Sequence, residues 1–311
     1  MNRLALFVGV PFAVLLLAAP LVLPTYFVGL LLKGVIYALF AMSFNLMFGV
    51  LGLPSLGHVA YFGTAAYVVA IMARNGFDGF SLQLFSGVGA AVLVSLVFGP
   101  LSLRARGVYH FMITLALAQL LFSLAFGWRS VTGGDDGLAG IKRPTFGLQF
   151  APADIAFYYF AVGVCALGAL TYMVIAYSPL GRVFVGIREN ELRMRVLGYN
   201  IRCYQVAGIA ISAAGAGLAG ILFAYETGYV GINYLSVALS ADTLLMVILG
   251  GAGTVAGPII GAVIIVGLQA AMSDVTKHWP LMLGALYVVV VLWAPTGIMG
   301  LLNNLRQRSA P

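Results

Sequence analysis

The sequence predicts an all-α polytopic integral membrane protein with about 8–10 transmembrane helices, each about 20 residues long. Hydrophobic residues make up 62% of the 311 residues and charged residues only 8%, whereas a soluble domain carries about 25% charged residues. The mean hydropathy is +1.05. Long uncharged runs alternate with short polar segments along the chain, so residues 1–311 are expected to form a single transmembrane domain.

The N-terminal apolar unit is expected to end near Leu23, because Pro20 and Pro24 interrupt a helix there. Lys33 then lies inside the second unit, close enough to its start for the ammonium group to reach the polar surface. The N-terminus resembles a signal peptide but lacks a clear small-x-small cleavage site, and many more apolar units follow it. A retained first helix is therefore expected.

Uncharged runs divide the chain into nine apolar units. The run 34–73 is too long for one membrane span, so it is expected to form two helices that are interrupted between Gly49 and Gly57. The uncharged runs are residues 4–32, 34–73, 79–103, 107–128, 155–181, 203–225, 243–273 and 279–305.

The signatures of several protein classes are missing from the sequence. It has no G-x-x-x-x-G-K-[ST] motif, so the chain is not expected to bind ATP itself. No catalytic residue is assigned, because none of the three histidines has a polar neighbour that would form a catalytic centre. Cys165 and Cys203 suggest neither a disulfide framework nor a metal site. The net charge of +7 comes from arginines in short loops, which is typical of membrane proteins rather than of nucleic-acid binding.

Acidic residues near the apolar units are few. Glu226, Asp242 and Asp274 fall near unit ends and are expected to be solvated, while His58 and His110 are single and expected to be satisfied by packing. A relay of intramembrane carboxylates or histidines, as used to couple transport to protons or sodium, is therefore not expected. A polytopic protein without a nucleotide motif or such a relay is expected to be driven by other chains.

A charged segment, residues 178–202, separates two long apolar units. Ser178 is suited to cap a helix, Pro179 to its first position, and Gly198 and Asn200 to its end. The segment predicts a short amphipathic helix held at the membrane surface. Its apolar side is expected to consist of Val183, Ile187, Leu192 and Val196.

The distribution of charge predicts the orientation of the chain. If segment 178–202 is cytoplasmic, that side carries ten basic and two acidic residues, as the positive-inside rule requires. Both termini are then expected to be cytoplasmic. The cytoplasmic set includes Arg3, Arg104, Arg106, Arg306 and Arg308, and the external set includes Arg74, Asp78 and the loop 129–153.

Nine simple crossings would place the two termini on opposite sides, so one unit is expected not to cross. Unit 243–273 is the best candidate, because the stretch Ile248–Pro258 contains four glycines and a proline in eleven residues. Such a stretch does not form a stable helix, and irregular backbone at membrane depth must be buried in protein or line a water-filled path. We predict two half-helices that enter and return to the same face; a tilted, kinked single span is the alternative.

The two interrupted stretches allow two interpretations. Small residues permit close helix packing, which is also the interpretation favoured for the cluster Gly215–Gly220. Alternatively, interrupted helices mark a substrate path, because their free backbone groups can bind a polar solute. The candidate path residues are Pro54, Ser55, Gly57, His58, Gly250, Gly251, Gly253, Thr254, Gly257 and Pro258.

Five groups of short motifs occur in a fixed order between about residue 30 and residue 300. They are Gly57–Tyr67 after Ser55–Leu56; Arg106–Tyr109 with Thr114–Ala116; Thr132–Leu138; Gly181–Arg182 with Ile187–Glu191 and Leu197–Gly198; and Leu249–Ala262. Together they resemble the permease subunits of branched-chain amino acid ABC importers, the hydrophobic amino acid uptake family. The general permease signature places E-A-A at a fixed interval before a glycine; here Glu191 lies one residue too far from Gly198, and Leu192 and Arg193 replace the alanines.

The resemblance implies an inner-membrane permease domain that pairs with a second, homologous permease. It also implies two cytoplasmic ABC ATPase subunits, which bind ATP and Mg²⁺, and a periplasmic solute-binding protein. Segment 178–202 would be the coupling loop; without the resemblance, a helix lying on anionic lipid is the alternative. The residues implied in ATPase coupling are Arg182, Ile187, Arg188, Glu189, Glu191, Arg193, Arg195 and Gly198.

The external stretch Thr132–Gly137 is a turn sequence, for which a plain loop is one interpretation. Alternatively, Asp135 and Asp136, with Lys142 and Arg143 close by, dock the periplasmic binding protein. The resemblance favours leucine, isoleucine or valine as substrate, and a path without a fixed charge suits such net-neutral solutes. Urea, short amides and other amino acids are the alternatives within the family; a stand-alone secondary transporter or channel and a membrane enzyme are the alternatives outside it.

Overall fold

A computed structural model describes residues 16–144, 153–275, 278–293 and 297–300, and it confirms the all-α fold class. Five helices in these ranges are long and apolar enough to cross a membrane: Thr25–Val50, Phe80–Ser102, Val108–Gly127, Ile155–Tyr177 and Ile201–Thr227. The principal helices are α1 (Thr25–Asn45), α2 (Val59–Arg74), α3 (Phe80–Ser102), α4 (Val108–Gly127), α5 (Ala153–Tyr177), α6 (Pro179–Glu189), α7 (Glu191–Val196), α8 (Ile201–Thr227), α9 (Val237–Gly250), α10 (Gly257–Val275) and α11 (Trp279–Trp293).

Two helices, α1 and α8, form the buried centre of the bundle, whereas α3, α4 and α5 leave most of their apolar surface exposed. Helix α8 approaches its neighbours closely through small residues: a Cβ on Gly220 would overlap the backbone of Phe62 in α2, and one on Gly217 would press against Ala91 of α3. The cluster Gly215–Gly220 therefore serves helix packing, as expected.

The first helix ends near Leu23, as the prolines predicted. Residues 16–22 are helical, Pro24 precedes the next helix, and α1 runs without interruption through Lys33, whose side chain is exposed. The first 15 residues, including Arg3, lie outside the described residues.

The first predicted interruption is present. Helix α1 passes into a π-helical turn at Leu46–Val50, and no helix follows until Val59. Gly52 has a φ of +78° and Pro54 follows it, so neither residue suits a continuous helix. The interruption therefore covers 51–58, close to the predicted 49–57.

Unit 243–273 forms two helices, α9 and α10, on either side of a turn at 251–256. They run antiparallel, because Gly250 lies beside the carbonyl of Gly257, and Gly261 lies beside the carbonyl of Met246. The segment thus returns to the side on which it begins, as predicted. However, α10 has 19 residues, about 28 Å of helix, so it is longer than a half-helix.

The prediction of one amphipathic helix in segment 178–202 is wrong in one respect. The segment forms two helices, α6 and α7, because Asn190 leaves the helical conformation with φ −158° and ψ 94° and caps the second helix. Asparagine side chains compete for backbone hydrogen bonds in this way and favour caps over helix interiors.

Two ends of the bundle can be distinguished by their contacts. At the arginine-rich end, Arg106 between α3 and α4 forms an ion pair of 3.1 Å with Glu191 of α7. At the opposite end, Arg74 donates a hydrogen bond of 3.4 Å to the carbonyl of Ser130. The predicted grouping of these loops is therefore correct. A two-stranded antiparallel sheet, Leu138–Ala139 (β1) with Tyr229–Val230 (β2), also lies at the opposite end, with Leu138 paired to Val230.

Candidate functional site

Helices α6 and α7 are held by local caps at the arginine-rich end. The Ser178 side chain accepts a hydrogen bond from the Gly181 amide at 3.3 Å, and the Asn190 side chain accepts one from the Arg193 amide at 2.9 Å. Gly198 follows α7 with a φ of +89°, a left-handed conformation that glycine adopts without strain. The sequence therefore fixes where both helices begin and where the second ends.

The predicted apolar side of this segment is corrected by the structure. Ile187 is buried, as is Phe184, which lies against Gly208 of α8. Leu192 and Val196, however, are 69% and 81% exposed. Because the break at Asn190 changes the helix direction, Leu192 and Val196 of α7 face away from the bundle, whereas Met194 of the same helix is buried against Gly186 of α6.

Arg188 points toward the bundle and not only outward. Its guanidinium donates a hydrogen bond to the carbonyl of Gly49 in the first interruption. Its side chain also fills the space beside Gly52, where a Cβ would overlap it. Arg188, one of the residues predicted to take part in coupling, thus ties the surface helices directly to an interrupted transmembrane helix.

The two interruptions meet at one point, which the sequence did not predict. Asn45 at the end of α1 is buried; its amide nitrogen donates to the carbonyl of Thr254 at 2.8 Å, and its amide oxygen accepts from the backbone nitrogen of Gly253 at 2.8 Å. Gly49 lies against Gly253 so closely that a Cβ on Gly49 would overlap it. This meeting point is called the junction below; it consists of Asn45, Gly49, Arg188, Gly253 and Thr254.

The second half of the first interruption, residues 55–57, is packed rather than open. The Leu56 amide donates to the Thr114 hydroxyl of α4 at 3.2 Å, and the Leu56 carbonyl accepts from the Ser240 hydroxyl of α9 at 2.7 Å. The Ser55 hydroxyl accepts from the Gly57 amide at 2.9 Å. Thus side chains of α4 and α9 satisfy both backbone groups of Leu56.

His58 lies in the buried core beside the first interruption. Its Nε2 is 2.8 Å from the Ser43 hydroxyl, and the rings of Phe40, Phe44 and Tyr61 surround it. Its Nδ1 has no hydrogen-bond partner among the described residues. The expectation that packing satisfies His58 therefore holds for one of its two nitrogens.

The other candidate path residues form the hairpin turn between α9 and α10. Gly250 and Gly257 lie against each other at its two ends, and Gly251 contacts Gly297. The Thr254 hydroxyl donates a hydrogen bond to the Gly251 carbonyl at 2.7 Å and accepts one from the Gly257 amide at 3.1 Å. Pro258 is buried in the first turn of α10, where proline is tolerated. Pro54 stands apart from these, since it lines a cavity at the arginine-rich end.

Two acidic residues expected to be solvated have partners instead. Glu226 forms an ion pair of 3.2 Å with Arg143, and the Glu226 side chain is only 10% exposed. Asp242 lies inside α9, where it accepts a hydrogen bond of 3.2 Å from Gln269 of α10 and another from the Tyr287 hydroxyl of α11. Both carboxylates therefore connect segments that are distant in sequence.

The loop after α4 presents Asp135 and Asp136 to solvent. Gly133, Gly134 and Gly137 all have positive φ, and the Thr132 hydroxyl donates to the carbonyls of Ala125 and Trp128, so the backbone is a defined turn. The Tyr229 hydroxyl of β2 donates to the Asp136 carbonyl at 3.2 Å. The two carboxylates are thus exposed on a fixed support.

Cys165 is buried and Cys203 exposed, and both are free thiols. Within the described ranges there is no group of three or more His, Cys, Asp or Glu side chains that can hold a metal ion.

The chain is similar to a family of known transport proteins. A family model described as "Branched-chain amino acid transport system / permease component" matches residues 26–294. The high-affinity branched-chain amino acid transport system permease protein LivM of Escherichia coli (strain K12) is 30% identical over 288 residues, which cover 85% of this chain and 68% of LivM.

Two further relatives match over nearly their whole length. The permease protein LivH of the high-affinity branched-chain amino acid transport system of Salmonella typhimurium is 25% identical, over 86% of this chain and 92% of LivH. The corresponding BraD of Pseudomonas aeruginosa is 24% identical over the same shares. No solved structure matches the chain.

Proposed function

Since the chain belongs to the family of branched-chain amino acid ABC transport permease components, we propose that it forms the translocation path of a binding-protein-dependent importer together with a second, homologous permease. Two cytoplasmic ATPase subunits bind ATP and Mg²⁺ and drive the cycle, and a periplasmic protein delivers the substrate. The arginine-rich end is then cytoplasmic, as are both termini, and the protein lies in the bacterial inner membrane. This orientation agrees with the positive-inside rule.

The observation that carries this proposal is the connection between α6 and the junction. A rigid helix that is docked on an ATPase transmits movement only if it is attached to the segments that must move. Arg188 supplies that attachment through the Gly49 carbonyl, and Gly49 in turn contacts Gly253 of the hairpin turn. A displacement of α6 therefore reaches both interrupted segments at one point.

The exposed side of α7 provides the surface for the ATPase. Leu192 and Val196 expose apolar area beside Glu189, Arg193 and Arg195, which are also exposed. An apolar centre surrounded by charges is typical of protein interfaces, where the apolar contact supplies affinity and the charges select the partner and its register. Ile187 is buried in this chain, so it packs α6 against the bundle and does not contact the ATPase.

Substitution of Val196 by glutamate is expected to weaken ATPase binding. The side chain is exposed, so the variant should fold and insert normally, but the charge would be placed against an apolar contact. We expect a loss of about 1–3 kcal/mol, or about 5–150-fold in affinity. The measurement is the amount of ATPase that co-purifies with the membrane-inserted variant.

The control is the substitution Val22→Gln. Val22 is 78% exposed and lies far from α7 in the sequence. Unchanged co-purification of the Val196→Glu variant would assign this surface to lipid instead.

The two exposed carboxylates at the opposite end are proposed to dock the binding protein. Charge reversal at Asp135 and Asp136 is expected to lower binding-protein-stimulated ATP hydrolysis at least about threefold, because charged groups at an interface rim chiefly control the rate of association. The basal rate, measured without binding protein, should not change. Equal effects on both rates would show that the substitutions disturb the fold and would remove the docking role.

The proposed substrates are leucine, isoleucine and valine, which the names of the relatives support. These zwitterions carry no net charge, so a path without a fixed unpaired charge suits them. Urea, short amides and other amino acids are the alternative substrates. The ligand that the partner binding protein holds in a binding assay with labelled candidates would distinguish among them.

A further inference from the structure

A cavity of about 570 Å³ opens at the arginine-rich end between the first interruption, the loop from α3 to α4, and the starts of α7 and α8. Five arginines line it, against a single carboxylate. The charged lining residues are Arg104, Arg106, Arg188, Arg195, Arg202 and Glu191.

The single carboxylate does not balance this charge. Glu191 accepts from Arg106 at 3.1 Å and from Arg195 at 2.8 Å through the same oxygen. Arg188 is bound to the Gly49 carbonyl, a neutral group. Arg104 and Arg202 have no carboxylate within ion-pair distance in the described part of the chain. The cavity therefore has a strongly positive potential and offers two guanidinium groups for an anion.

A buried histidine adds a second, independent feature. His110 lines the cavity, yet its side chain is only 3% exposed. Its Nδ1 lies 2.9 Å from the Ser102 carbonyl; because a carbonyl only accepts, Nδ1 carries a proton. Nε2 is buried without a hydrogen-bond partner among the described residues. Buried polar atoms are nearly always paired, so the orphaned Nε2, an acceptor here, indicates a ligand with a hydrogen-bond donor that the described residues do not supply.

The surface beside the cavity is apolar. Val108 and Tyr109 at the start of α4 are 70% and 74% exposed, and Leu101 near the end of α3 is also exposed. Helices α3 and α4 continue this exposed apolar surface along their length. A ligand with an anionic head and long apolar chains would therefore contact arginines with its head and the surface of α4 with its chains.

We propose that this cavity binds the phosphate headgroup of an anionic phospholipid. Guanidinium groups bind phosphate oxygens through paired N–H donors, and basic pockets between transmembrane helices on the cytoplasmic side are suited to such headgroups. Arg104 and Arg202 bind the phosphate, and Nε2 of His110, an acceptor when Nδ1 carries the proton, is available to a hydroxyl group of the headgroup. Free phosphate offers the same oxygens, but only a lipid also covers Val108 and Tyr109.

The test is a lipid titration of the purified full-length chain in detergent, followed by native mass spectrometry. Phosphatidylglycerol is compared with phosphatidylcholine of the same acyl chains. We expect tighter binding of phosphatidylglycerol, and we expect the double variant Arg104→Gln, Arg202→Gln to weaken that binding at least about tenfold, since it removes two charged donors from the phosphate. Arg193→Gln is the matched control, because Arg193 is exposed at the same end but does not line the cavity.

Two further measurements distinguish a lipid phosphate from free phosphate, and specific binding from a general effect of charge. Arg104→Lys, Arg202→Lys keeps the charge but removes the paired donors, so an affinity between those of the wild type and the glutamine variant is expected. Equal binding of the two lipids, or an equal loss in Arg193→Gln, would overturn the proposal. Displacement of phosphatidylglycerol by an equal concentration of inorganic phosphate would overturn it too, because the cavity would then be a soluble-phosphate site.

Discussion

Alanine in place of Arg188 is expected to lower ATP-driven uptake about 5–150-fold while the ATPase subunits still co-purify, as expected for a coupling free energy of about 1–3 kcal/mol. Arg188 donates to the Gly49 carbonyl of the junction, whereas the apolar contact proposed for the ATPase comes from Leu192 and Val196 on α7. Removal of the guanidinium should therefore separate ATPase docking from the movement that docking drives. ATP hydrolysis should continue with little substrate transported.

Two comparisons distinguish this loss of coupling from general damage. Lysine at position 188 can still donate one hydrogen bond to Gly49 and should restore part of the uptake. Arg129→Ala changes an exposed arginine of the opposite end and should leave uptake unchanged. Uptake by Arg188→Ala at the wild-type rate would show that Arg188 does not transmit the movement.

Leucine in place of Asn45 is expected to destabilise the protein by about 1–3 kcal/mol. The substitution removes the hydrogen bonds that the Asn45 side chain makes to the Gly253 amide and the Thr254 carbonyl, and each such bond contributes about 0.5–1.5 kcal/mol. Leucine is close to asparagine in size, so the effect comes from hydrogen bonding rather than from an added cavity. The junction should loosen, and the melting temperature in detergent should fall by several degrees.

Asn75→Leu is the matched control, because it is the same substitution at an exposed residue just after α2. Its melting temperature should stay near that of the wild type. If both variants melt alike, Asn45 does not hold the two interruptions together, and a different contact must define the junction.

Local chemistry explains which features of the fold the sequence predicted. Proline restricts the backbone and glycine permits conformations that other residues avoid, and both disfavour a continuous helix, so Pro24, Pro54 and the glycines of 250–257 located the helix ends and both interruptions closely. Ser178 and Pro179 likewise marked the start of α6. Each of these signals depends on only a few neighbouring residues.

Features that depend on distant segments were not predicted. Asn45 is one of a few polar residues in a mostly apolar run, and only the fold brings it within reach of Gly253 and Thr254, more than 200 residues away. Arg188 resembled the other surface arginines because its acceptor, the Gly49 carbonyl, carries no sequence signal. For the same reason the partners of Glu226 and Asp242 could not be inferred from the sequence.

The break at Asn190 had a local signal that was outweighed by periodicity. Asparagine is a favoured cap, and Glu191 and Arg195 after it form an i,i+4 pair typical of a new helix. The apolar spacing across the break nevertheless fits one helix, which placed Leu192 and Val196 on the buried side. A side chain exposed at 81% on α7 then becomes the main candidate for contact with a partner.

Reconstitution tests the central claim, that this chain transports only when other chains drive it through α6 and α7. Vesicles containing the chain alone are compared with vesicles containing the second permease, the ATPases, ATP and the binding protein loaded with labelled leucine. Uptake is expected only in the complete system, and only with hydrolysable ATP. Uptake of leucine at the same rate by the chain alone, without nucleotide, would contradict the account.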